Sequence, residues 1–149
     1  MRRLRFSLVS LLVLGCGIES ESETDPCGIV GRWSATLTVG NGTCFESGSK
    51  LDDTLSLTLV GDRLVVQAGD GSQPDVGSFD PNTCAMVMVS AVNAAETEMR
   101  YEMRGTDTST LRFDGGKLNG TSSLEADLYE AGSKVGSCSQ SGTVTGHKL

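Results

Sequence analysis

The chain has 149 residues, with 12 Lys and Arg against 19 Asp and Glu, for a net charge of −7. The basic residues are scattered singly among acids, so no clustered positive face is available for phosphate, and a nucleic-acid partner is excluded. Nineteen glycines, three prolines and no long helix-period pattern indicate one all-β domain of short strands and tight turns.

Residues 1–15 are laid out as an export signal. Arg2, Arg3 and Arg5 are followed by the apolar run from Phe6 to Leu14, which is far short of the roughly 20 residues of a membrane span. The junction Val13-Leu14-Gly15-Cys16 resembles the lipobox of bacterial lipoproteins, at which the cysteine is lipidated and the chain is cut just before it. An ordinary secretory leader is the other reading of the same residues. Parity favours the lipobox: five cysteines in an exported chain leave one thiol over, whereas setting Cys16 apart leaves Cys27, Cys44, Cys84 and Cys138 for disulfides. The resemblance implies a lipid-anchored protein of the bacterial cell envelope. Gly17, in place of the aspartate that favours inner-membrane retention, points to the outer membrane.

Residues 16–26 then read as the lipidated cysteine and an acidic tether. Ser and Glu alternate with almost nothing apolar to bury, and the ten residues after Cys16 span at most roughly 35 Å. Without the leader arginines, 9 of the 12 basic residues face all 19 acids.

Residues 27–149 are expected to form a single domain of eight strands, near 31–39, 53–60, 63–68, 84–92, 96–104, 108–113, 117–128 and 134–145. Period-two alternation is plainest from Glu96 to Arg104, where charged residues alternate with Thr97, Met99, Tyr101 and Met103. Turns are expected at Gly61-Asp62, Asn93 to Ala95, Gly105 to Asp107, Asp114 to Gly116 and Ala131 to Ser133. Eight sequential antiparallel strands, each with one apolar face, are best served by closure into an up-and-down barrel, which removes exposed edges. A β-sandwich fits the same alternation. Gly31-Arg32-Trp33, opening the first strand, resembles the Gly-x-Trp signature of lipocalins; that resemblance implies an eight-stranded barrel with Trp33 plugging its closed end. Thr106-Asp107 is similar to part of the family's second motif without its tyrosine, and His147-Lys148 stand where its late arginine is expected.

Few residues suggest chemistry. A hairpin turning at Ala94-Ala95 sets Met86 opposite Met103, Met88 opposite Tyr101 and Ser90 opposite Met99. These side chains, with Trp33, then read as core, as the pliable wall of a site for a small apolar ligand, or as a thioether site for copper(I) that no nearby histidine or free thiol supports. Barrel closure favours Cys44 with Cys138, leaving Cys27 with Cys84, although the strand count places Cys84 at the rim away from Cys27. The acidic loop from Gly69 to Asn82 lacks EF-hand spacing, and no C-x-x-C knuckle occurs. His147, the sole histidine, reads as part of an exposed tail, and no G-x-S-x-G, H-E-x-x-H or P-loop is present. The expected protein is therefore a non-catalytic binding or surface-interaction domain without metal or cofactor. Its partners are the membrane, through the lipid on Cys16, and a small apolar ligand or a protein.

Overall fold

The computed structural model describes residues 25–94 and 101–149. Residues 1–24, with Cys16 and most of the expected leader and tether, and residues 95–100, with Met99, Ala95 and most of the strand expected at 96–104, lie outside the described residues. Eight strands follow in chain order: β1 (Gly31–Gly42), β2 (Lys50–Val60), β3 (Arg63–Ala68), β4 (Asp75–Asp80), β5 (Ala85–Ala94), β6 (Glu102–Asp114), β7 (Lys117–Glu130) and β8 (Ser133–Lys148). Each pairs antiparallel with its chain neighbour, and β8 returns to β1 to close the barrel. Trp33 to Val39 lie opposite Lys148 to Gly142 across that seam. Two separate sheets would leave these strands as edges, so the sandwich is set aside in favour of a lipocalin-like up-and-down barrel. Short hairpins help close it: Gly115 and Gly116, and likewise Ala131 and Gly132, have positive φ, as two-residue primed turns require.

Two elements differ from the sequence expectation. Strand β4 lies inside the stretch read as an acidic loop. Only Gly77 and Phe79 are buried along it, and a position without a side chain adds nothing to a hydrophobic pattern. The glycine is needed there, because a Cβ on Gly77 would meet the Met86 side chain and the Val87 carbonyl. The second difference is β6, one continuous strand where two were expected. The supposed turn at Gly105 to Asp107 continues the ladder, with Gly105 opposite Ala126, Thr106 opposite Glu125 and Asp107 opposite Leu124. A Cβ on Gly105 would run into the Glu125 carbonyl and Ala126, so this glycine serves close strand approach.

These differences cancel in the strand count but reverse β5. With β4 in place, β5 starts at the same end of the barrel as β1, which puts Cys84 beside Cys27. The disulfides join Cys27 to Cys84 and Cys44 to Cys138, and the geometric conflict expected for the first pair disappears. The β5–β6 register moves with it. Met86 faces Leu111, not Met103; Met88 faces Ser109, not Tyr101; and Ser90 faces Asp107, not Met99.

The end at which β1 starts is packed solid. Trp33, Ile29, Leu64, Met86 and Leu118 are fully buried there, and the rings of Trp33 and Phe113 meet edge to face with centroids 5.3 Å apart. Trp33 Nε1 donates to the Ile29 carbonyl at 2.7 Å, so the one polar atom of the plug is satisfied. The entering chain is held over this floor by Asp25, whose carboxylate accepts from Ile29 N and Val30 N, and by Lys148 Nζ, which donates to Gly28 O. Nearby, Asp80 accepts from Asn82 N and Thr83 Oγ1, bonds that hold its carboxyl below the usual range and shape the turn into Cys84, itself at φ 50°. His147 is not in a loose tail. It pairs in β8 with Ser34 and Lys117, and its side chain is exposed.

Candidate functional site

Above the packed floor the barrel is not filled. The middle of the barrel is lined in part by Ser90, Ser109, Ser122 and Gly142, positions too small to fill an eight-stranded barrel. A cavity of about 290 Å³ lies between Ala35, Leu37, Leu55, Val66, Met88, Leu111 and Val144. It continues into a wider space of about 920 Å³ that opens at the upper rim past Phe45, Leu51, Asp70 and residues 72–75. Leu37, Leu51 and Met88 line both parts. Volumes of this order suit a small organic molecule.

Its two walls differ in chemistry. The side formed by β1, β2 and β3 is aliphatic apart from Asp53, with Ala35, Leu37, Leu51, Leu55 and Val66 facing the space. The side formed by β5, β6 and β7 holds Asp107, whose Oδ2 accepts from Ser109 Oγ at 3.0 Å and whose Oδ1 accepts from Ser122 Oγ at 2.6 Å. Ser90, opposite Asp107 on β5, has a buried Oγ with no hydrogen-bond partner. Nearer the rim, Asp53 accepts from Thr54 N and Gly69 N. Asp70 accepts from Ser72 N, and this bond keeps its carboxyl below the usual range.

The rim is braced by a second apolar cluster of Met103, Leu124, Ala126 and Cys138, against which Cys44, Val92 and Leu128 pack. Gln140 adds to the brace. Its Oε1 accepts from Phe45 N at 3.0 Å and its Nε2 donates to Gly40 O at 2.8 Å; the loop after β1 is further tied to β8 by hydrogen bonds between Thr43 and Ser139 and by the Cys44–Cys138 bond.

The residues singled out in the sequence are divided by this geometry. Trp33 and Met86 belong to the solid floor, Met88 lines the cavity, and Met103 packs in the rim cluster. Tyr101 precedes β6 and is partly exposed. Asp107, Ser109, Ser122 and Ser90 were not singled out as a group. The available signal was the inward period running unbroken from Met103 through Asp107 to Phe113, which the apparent turn at Gly105 concealed. Among the described residues, no group of three His, Cys, Asp or Glu side chains is gathered to hold a metal ion, the stretch 69–82 included. Nor do the described residues lining the cavity include a histidine, lysine or free thiol to act as base or nucleophile. Compared with known proteins, the chain matches no family model, no curated protein and no solved structure.

Proposed function

We propose that this chain is a lipid-anchored protein of the bacterial cell envelope whose barrel binds a small, largely apolar molecule and performs no catalysis. The observation that carries the binding reading is the contrast within one barrel, between a floor packed to full burial around Trp33 and an aliphatic chamber above it that is open at the rim. Selection for stability alone favours filling such a space, since an unfilled apolar volume forfeits dispersion contacts. The anchor reading draws support from cysteine bookkeeping. Cys27, Cys44, Cys84 and Cys138 are bonded to one another, which leaves Cys16 as the odd cysteine of five.

A neutral naphthyl dye tests the chamber. Titrated onto the protein it should show saturable fluorescence enhancement at one site. Met88→Trp, which fills the inner part of the cavity with a larger side chain, should weaken that binding about tenfold or more by removing apolar contact area, with the circular dichroism of the barrel unchanged. Unaltered dye affinity in the folded variant would place the dye elsewhere and remove the chamber as the binding site.

A further inference from the structure

We infer that the chamber selects cationic amphiphiles, molecules with an apolar chain and a protonated amine, seated with the ammonium at Asp107 and Ser90. This rests on the binding reading above and adds a ligand class to it. Four aspartates, Asp53, Asp70, Asp75 and Asp107, line the cavity and its mouth, while the described residues lining it include no Lys, Arg or His. The interior therefore presents one sign of charge between low-dielectric walls, an arrangement that focuses an attractive field on a cation and repels a carboxylate.

Asp107 is the group built to receive it. The two serine hydroxyls take one lone pair on each of its oxygens, and an ionised carboxylate offers about four acceptor positions, so acceptor capacity remains. Both hydroxyls are donors. They hold the carboxylate in place but bring no counter-charge. Ser90 lines the chamber across the β5–β6 pair from Asp107, and its Oγ makes no hydrogen bond within the protein, so the hydroxyl can turn to accept from a donor in the chamber. An ammonium has three donors and one positive charge, which answers both needs at once. The chain of such a molecule then lies along Leu37, Leu55, Met88 and Val144. A neutral alcohol would satisfy Ser90 and leave Asp107 without a counter-charge, and a fatty acid would set two carboxylates against each other.

The test compares octylamine, octanol and octanoate on the full chain in phosphatidylcholine vesicles. Apparent affinities come from the ligand dependence of the unfolding midpoint, read by Trp33, the only tryptophan of the chain. Octylamine should bind best, octanol less well and octanoate least. Asp107→Asn should lower octylamine affinity roughly tenfold to a hundredfold, the span expected for losing a charge-assisted hydrogen bond, with octanol unchanged. Ser90→Ala, which removes no bond within the protein, gives a second reading should Asp107→Asn fail to fold. It should weaken octylamine by roughly twofold to tenfold. Equal binding of all three compounds, or preference for octanoate, would overturn the selection for cations while leaving the chamber a binding site. Failure of all three to bind would overturn both.

Discussion

Trp33→Ala is expected to destabilise the barrel by about 3–5 kcal/mol, the range for emptying a large aromatic site in a core that cannot collapse around it. Collapse is blocked by what surrounds Trp33: Phe113 stands against it edge to face, the Ile29 backbone is held by the Asp25 carboxylate, and the strands on every side are locked into a closed ladder. The Ile29 carbonyl also loses its donor, which adds the cost of a buried unsatisfied acceptor. For a domain of this size the thermal midpoint should fall by roughly 10–20 °C, measured by circular dichroism because the variant has no tryptophan. Trp33→Phe keeps most of the packing but loses the hydrogen bond and part of the ring, so it should fall between. A change of a few degrees for Trp33→Ala would mean that the floor is not the organising core.

The second large effect is all-or-none. Cys16→Ser should abolish acyl labelling and release the protein from the membrane fraction, because serine supplies no thiol for a thioether-linked diacylglycerol. Two or three acyl chains, at about 0.8 kcal/mol per buried methylene, hold a protein firmly. The two disulfides should form as before, since neither uses Cys16. Labelled product persisting in the variant would rule out the lipobox.

Much of the barrel was legible in the sequence, for reasons that particular strands make plain. In β1 the alternation of Trp33, Ala35, Leu37 and Val39 with polar residues states which face is inside, and in β7 Leu118, Leu124, Ala126 and Leu128 do the same. Such patterns survive because one side of each strand meets water. They fail where the inward position is glycine. Gly77 erased the signal of β4, and Gly105 imitated a turn in the middle of β6. Both glycines are required by neighbouring atoms, a constraint that exists only after the strands have paired. Because the pattern hides one strand and splits another, the expected total stays at eight while the expected direction of β5 is reversed. That inversion hid the polar seat: Ser90 meets Asp107 only in the register the structure has. The chamber was legible in outline, through Met88, and its chemistry was not.

The central claim is that the upper barrel is a chamber occupied by a small molecule. Mass spectrometry of organic extracts from a soluble chain begun at Gly17 tests it most directly. The account predicts one class of small molecule, with an apolar body and an amine, at close to one per barrel. Extracts free of any bound molecule, from protein that also takes up no apolar dye, would contradict it.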